Sequence, residues 1–151
     1  MNEYAGSSAF TSVTEKLKTQ FAVLPWRLDA EGELQFLLMS SRETRRWVIP
    51  KGWPMKGLAP GMAAQREAYE EAGVEGYAAM RPAGTFRYMK RRRSGREVLV
   101  EVEVYGLQFT VEHAEWPEMH EREKLWTSRE RAAVLVDEPG LKALISTFTP
   151  R

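Results

Sequence analysis

The chain has 151 residues, 43% of them hydrophobic, a formal net charge of +1 and no cysteine. That length suits one well-buried core and is short for two, the missing cysteines exclude disulfides and thiolate metal centres, and the near-zero charge argues against general attraction to nucleic acid. No stretch approaches the length of apolar sequence that crosses a bilayer, and the N-terminal region has no apolar signal core, so neither a membrane span nor export is expected and the expected compartment is the cytoplasm.

Residues 1–17 are small and polar without a clear period and are expected to form a loose arm, leaving residues 18–151 as a single domain. Apolar runs at 21–27 and 34–39, separated by Asp29-Ala30-Glu31-Gly32, predict two antiparallel strands joined by a turn. Residues 46–49 predict a short strand that stops at Pro50. Next comes a helix bounded by its own chemistry. Pro60 suits the first turn because its φ is already helical, and Gly73 suits the left-handed position just past the end. Ala64, Ala68 and Ala72 recur every fourth residue and form a small-residue stripe that lets this helix pack closely on a sheet. Residues 76–88 predict a strand with an irregularity at 82–84. Val98, Val100, Val102 and Val104 alternate with Leu99, Glu101, Glu103 and Tyr105, the clearest strand period in the chain. Residues 112–123 read as a loop, followed by a short strand around Leu125 and Trp126 and two closing helices over 128–136 and 139–148, with Ser128 as N-cap of the first. Strands interleaved with a few helices predict a layered α/β or α+β domain.

The helix carries the chemistry. At ~100° per residue, Glu67 and Glu71 project side by side and Glu70 lies about 60° further round, so the carboxylates share one arc of surface. Such a cluster repels itself unless a cation sits in it. Oxygen ligands without any thiolate favour a hard ion, Mg²⁺ or Mn²⁺ completed by waters and substrate phosphates, over zinc. The alternative is a solvated face in which Arg66 pairs with Glu70 at i,i+4. Positive charge is clustered too: Arg42, Arg45, Arg46, Lys51 and Lys56 surround the approach to the helix, and Lys90, Arg91, Arg92, Arg93 and Arg96 lie between the two following strands. Either cluster can be a charged edge that keeps a hairpin soluble. Guanidinium forks also match phosphate oxygens two at a time, which would clamp a polyanionic substrate.

Gly52, Arg66, Glu67, Ala68, Glu70, Glu71, Gly73 and Val74 fall at the fixed places of G-x5-E-x7-R-E-U-x-E-E-x-G-U, where U is aliphatic, and the stretch resembles the Nudix box. Leu58 departs from it, standing where the family has its first glutamate, a residue thought to orient the helix or its arginine. The resemblance implies the Nudix fold, a mixed β-sheet sandwiched between α-helices, and a Mg²⁺-dependent pyrophosphohydrolase. It implies Glu67, Glu71 and the backbone carbonyl of Lys51 as metal ligands, Glu70 as the base or a further ligand, and Arg66 beside Glu70 in the catalytic group. Ser40-Ser41-Arg42, Trp47 to Pro50, Gly84-Thr85-Phe86, the basic run, Trp116 and the segment from Arg122 to Trp126 look like the diphosphoinositol polyphosphate phosphohydrolase branch, which also cleaves diadenosine polyphosphates. That implies phosphate contacts from Ser40, Ser41, Arg42, Lys51, Arg91, Arg92, Arg93 and Arg122. The Pro-Gly-Gly of that branch becomes Pro50-Lys51-Gly52-Trp53 here, which adds a cation and a bulky ring at the mouth.

Trp26, Trp47, Trp116 and Trp126 are expected in core or edge packing and Trp53 exposed at the site, with His113 and His120 solvated. Glu115, Glu118 and Glu121 share the loop from which Nudix enzymes often bring an extra acid. The expected partner is a small polyphosphorylated substrate rather than nucleic acid or membrane, and the sequence specifies no oligomeric state. Two other readings stand beside it. One is nucleotide housekeeping on an oxidised nucleoside triphosphate or ADP-ribose, which would want an aromatic base pocket more than a basic clamp. The other is a non-catalytic Nudix-like binding module, motivated by Leu58.

Overall fold

β1 (Lys18–Leu28) is the strand on which the sheet is assembled. Ala22, Val23 and Leu24 are fully buried in succession, so both faces of β1 are covered and its sequence runs apolar without alternation. The computed structural model describes residues 17–150, so the arm expected over 1–17 lies, apart from Leu17, outside the described residues. On one side β1 pairs antiparallel with β2 (Leu34–Ser40), which pairs with β3 (Trp47–Val48) and β8 (Lys124–Ser128); on the other it pairs in parallel with β7 (Glu97–Glu112). β4 (Lys51–Gly52) pairs with β1 through Ala22 and Phe21, which brings the start of the glycine-bearing loop onto the central strand. The sheet is therefore mixed, with helices on both faces, as the resemblance implies.

One expectation needs correction. Residues 76–88 do not form one irregular strand: β5 (Val74–Ala78) and β6 (Gly84–Arg91) are separate strands, both antiparallel to β7. The reason is the length of β7, which at 16 residues runs past the alternating valines to Glu112 and accommodates β6 along its first half and β5 along its second. Pro82 cannot donate to a ladder, and the chain leaves β7 around it, between Ala79 N–H on the Gly106 carbonyl and Ala83 N–H on the Val104 carbonyl.

α1 (Pro60–Ala72) covers one face of the sheet, its Ala64, Ala68 and Ala72 fully buried against Val23, Leu37, Val74 and Leu107. Small side chains let the helix axis approach closely, which brings its flanking glutamates down to the level of β4. α2 (Arg129–Leu135) and α3 (Pro139–Thr147) cover the opposite face over Ala22, Leu24, Phe36, Phe86 and Val102. The Ser128 side chain accepts from Arg131 N–H and caps α2 as expected.

Candidate active site

The end of α1 is held by a layer of hydrogen bonds that its own sequence does not supply. Gly73 takes φ +69° and sits against the Trp116 indole, where a Cβ would lie 2.5 Å from a ring carbon, so both conformation and space demand glycine. The 113–123 loop then satisfies carbonyls at the helix end: His113 N–H reaches the Gly73 carbonyl at 2.8 Å and Glu118 N–H the Glu70 carbonyl at 3.0 Å. Lys124 Nζ reaches the Ala72 carbonyl at 2.7 Å, pairs with Glu112 and lies 3.9 Å from the Trp116 ring centroid. A cation at a helix C-terminus also suits the helix dipole. The buried Trp116 Nε1 has no partner among the described residues, and that ring packs as expected.

Glu67 and Glu71 lie on the side of α1 that borders the core. Gly52 passes so close that a Cβ there would collide with the Glu67 carboxylate, the physical demand behind that glycine. Lys51 N–H donates to Glu71 Oε1 at 3.3 Å, which fixes the Glu71 carboxyl beside the β4 backbone. Burial, against the pull of Arg122, pushes the Glu71 carboxyl up to about 8, with Glu67 and Glu118 adding like charge. Burial and the charge of Glu70 also raise Glu67, partly offset by a hydrogen bond with Glu71. The side chain of Glu71 is 12% exposed.

A pair of half-sequestered carboxyls this close holds a proton where it has no cation. The pair offers part of what a hard divalent ion takes, oxygen ligands only, like charges that a cation would relieve and an adjacent backbone turn, while no group of three or more acids is placed to hold an ion among the described residues. Glu67 and Glu71, with the Lys51 carbonyl beside them, fit such an ion. Glu118 joins them from the loop, its carboxylate 3.0 Å from Arg122 Nε and acting on both glutamates. Of the loop acids it is therefore Glu118 that reaches the cluster, while Glu121 pairs with Arg42 at 3.1 Å and Glu115 is exposed.

The expected phosphate contacts separate into two sets. Ser40 is buried, its Oγ accepting from Glu123 N–H at 2.9 Å, and Arg122, 8% exposed, donates to the Ser40 carbonyl and faces Glu71 at 3.8 Å. Both already have partners within the protein, and Arg122 is the one that enters the acid cluster. Ser41 Oγ is shared with Thr44 and accepts from Arg46 N–H. Arg42 and the hairpin arginines point to solvent. Arg91 is 71% exposed and meets Glu97 at 3.5 Å, while Arg92 and Arg93 lie at the exposed turn and make no ion pair among the described residues. Arg66 is exposed too and does not pair with Glu70; it borders a shallow groove with Leu58, Met62, Gln65, Tyr69 and Glu75.

Trp53 is 38% exposed, and His120 is exposed, as expected. His113 is not simply solvated: its ring meets the Glu75 carboxylate and packs edge-on against Tyr69. Sequence reasoning also passed over Tyr88, Gln20 and Glu138. The Lys51 Nζ lies 5.0 Å from the Tyr88 ring centroid, and Tyr88 donates to Gln20 Oε1 at 2.7 Å. Burial lowers the Lys51 pKa, against the pull of Glu71 and Glu138. Gln20 lies just before the apolar run of β1, after Lys18 and Thr19, and nothing local marked it.

A family model described as NUDIX domain matches residues 18–148. The mitochondrial Nudix hydrolase 13 of Arabidopsis thaliana is 30% identical over 80% of this chain and 62% of its own length. Human diphosphoinositol polyphosphate phosphohydrolase 3-alpha is 45% identical over 41% of this chain and 37% of its own. Thus the chain spans less than two thirds of the length of these relatives. The crystal structure of Caenorhabditis elegans Ap4A hydrolase shares the fold, with a TM-score of 0.61 at 20% identity over 87% of this chain and 95% of that one. No helix among the described residues is long and apolar enough to cross a membrane. With the motif on a helix packed as that fold requires and the family match running nearly from end to end, the chain belongs to the Nudix family.

Proposed function

We propose that the chain is a Mg²⁺-dependent hydrolase of phosphoanhydride bonds acting on a polyphosphorylated small molecule, a diphosphoinositol polyphosphate or a diadenosine polyphosphate. The observation that carries this reading is the Glu67–Glu71 pair, half-buried and raised in pKa beside the Lys51 backbone and ringed by Glu118 and Arg122. Mg²⁺, or Mn²⁺ in its place, when bound would polarise the phosphoryl oxygens and lower the pKa of the attacking water. Glu67, Glu71 and the Lys51 carbonyl are its ligands in this reading. Glu70, next to Glu71 on α1, takes the water's proton, and Arg66 stands one turn before it on the open side of α1. Arg122 screens the cluster so that its carboxylates share one small space.

The substrate end rests on the exposed cations. Arg42 at the β2–β3 turn and Arg91 to Arg93 on the β6–β7 hairpin offer forks for phosphate oxygens, with Ser40 and Ser41 at the base of the first turn. The partial likeness to a diphosphoinositol polyphosphate phosphohydrolase supports the same substrate class. A binding module without turnover is favoured by one feature, Leu58, which leaves Arg66 with no carboxylate partner among the described residues.

The deciding experiment is product analysis after incubation with diphosphoinositol polyphosphate, diadenosine polyphosphates, ADP-ribose and nucleoside triphosphates, each with Mg²⁺, Mn²⁺ or chelator. Metal-dependent cleavage concentrated on the most phosphorylated members is expected. Cleavage of ADP-ribose or a nucleoside triphosphate alone would move the chain to nucleotide housekeeping, and silence from folded protein would move it to the binding module.

A further inference from the structure

A cavity of about 590 Å³ opens between the last residues of β1, the 79–83 loop and the C-terminal end of α3. It is remote from the acid cluster. Trp26 on its wall lies four residues beyond Ala22, the partner of Lys51, or roughly 13 Å along the strand. It also opens on the face that α2 and α3 cover, whereas Glu67 and Glu71 stand on α1 across the sheet. α3 fills the interval, with Phe86 against Gly140, Gly84 against Leu144 and Gly106 against Phe148.

The walls of this cavity are chemically uneven. Leu144 and Phe148 are buried and give it an apolar floor, while Met80, 97% exposed, stands at its rim. Arg81 is exposed and makes no ion pair among the described residues, and no acid is among the residues that line the cavity. The half-buried Trp26 has its indole nitrogen beside Gly106, and that N–H has no acceptor among the described residues. Thr147 Oγ1 donates to the Ala143 carbonyl at 3.1 Å, so its lone pairs remain to accept. An unpaired surface arginine or an exposed methionine is ordinary when it stands alone. Together on a cavity of ligand size they select an occupant with a flat apolar body, one negative group and polar atoms between them.

We propose that this cavity binds a purine nucleoside monophosphate, with the base against Trp26 and Met80, the phosphate on Arg81 and the ribose hydroxyls against Thr147. Indole and thioether suit a base, which stacks on aromatic surface whatever its edge pattern. A single guanidinium matches a single phosphate. Such a ligand has no phosphoanhydride bond, so the site is one of binding, separate from the reaction proposed at α1.

The test is calorimetric titration of AMP into the full chain in chelator, where no metal draws the nucleotide to the acid cluster. Arg81→Ser is expected to weaken binding about tenfold, the low end for losing one charged hydrogen bond. Met80→Ala should weaken it about threefold. Both residues are exposed, so neither change disturbs the core. Adenosine should bind about tenfold more weakly than AMP and be indifferent to Arg81→Ser, and ribose 5-phosphate, without the ring, should fall short by at least as much. The indole N–H resonance of Trp26, assigned through Trp26→Phe, should move as AMP is added. Absence of AMP binding, ribose 5-phosphate binding as tightly as AMP, a Trp26 resonance that stays put, or unchanged affinity in Arg81→Ser overturns the proposal. Hydrolysis is read on other residues, so either reading stands if the other fails.

Discussion

The acidic end of α1 and the basic hairpin between β6 and β7 carry opposite charge and are built in opposite ways. Glu67 and Glu71 are half-buried against the β4 backbone, screened by Arg122 and pressed on by a loop that caps their helix. Arg91, Arg92 and Arg93 project from a turn closed by Arg92 N–H on the Arg96 carbonyl, with Gly95 at φ +87° and solvent all round. Charge placed inside a fold has its geometry fixed before a ligand arrives, and the cost of desolvation is met by neighbours. Charge on a hairpin is free to adjust and is screened by salt. The first arrangement suits a step whose atoms must be held. The second suits capture of a polyanion whose shape can vary.

Removing a carboxylate from the rigid region should have the largest effect. Glu71→Gln and Glu70→Gln are each expected to lower kcat roughly 100-fold or more, because in the proposed reading one holds the cation and the other takes the water's proton. Arg91, Arg92 and Arg93 replaced together by serine should instead raise KM about tenfold with kcat within about threefold, and the deficit should shrink at high salt. Steady-state kinetics on both sets settles the contrast. A triple-serine protein that loses kcat rather than affinity would show the hairpin takes part in the chemistry.

The same burial makes a stability prediction of intermediate size. The Glu71 carboxyl titrates near 8 in the folded chain and near 4.5 in the unfolded one, so between those values the folded chain keeps a proton that the unfolded chain has released. In chelator, stability should therefore be highest below the lower value and fall as pH rises towards the upper one. Between pH 5.5 and 8, Tm is expected to drop about 5 °C more in the native chain than in Glu71→Gln, which has no proton to lose there. Mg²⁺ should abolish the difference, more strongly as pH rises, because it replaces the proton. Thermal unfolding of the two proteins with and without Mg²⁺ reads this directly, and identical pH slopes in chelator would count against the raised value.

What the sequence made legible was local. Pro60 and Gly73 marked the ends of α1, the alanine stripe its buried face, the valine alternation β7, and Ser128 the start of α2, because each depends on neighbours a few residues away. The division into β5 and β6 was hidden because it depends on the length of a partner strand, not on residues 76–88 themselves. The site follows the same rule. The arc of Glu67, Glu70 and Glu71 is a property of one helix, but the inward turn of Ser40 depends on Glu123, the burial of Arg122 on Glu71 and Glu118, and the Lys51 ammonium on Tyr88 and Gln20. Pairings across that much chain leave no local trace in a single sequence.

Leu58 gives the smallest expected effect and tests the boundary between the two kinds of region. It precedes α1, its N–H on the Met55 carbonyl, and its side chain joins Met62 and Tyr69 beside the exposed Arg66. Leu58→Glu would offer Arg66 a carboxylate at the cost of that apolar contact. An exposed pair is worth about 0–1 kcal/mol, and the lost burial is of similar size, so Tm should move by no more than about 3 °C. Since Glu67 and Glu71 are fixed by Gly52, Lys51 and Arg122 rather than through Arg66, kcat should rise no more than about threefold. Kinetics of this variant beside the native chain provides the check. A rise of 100-fold would mean that the acid cluster is not set by its buried contacts, and that the orientation of α1 was waiting for the missing glutamate.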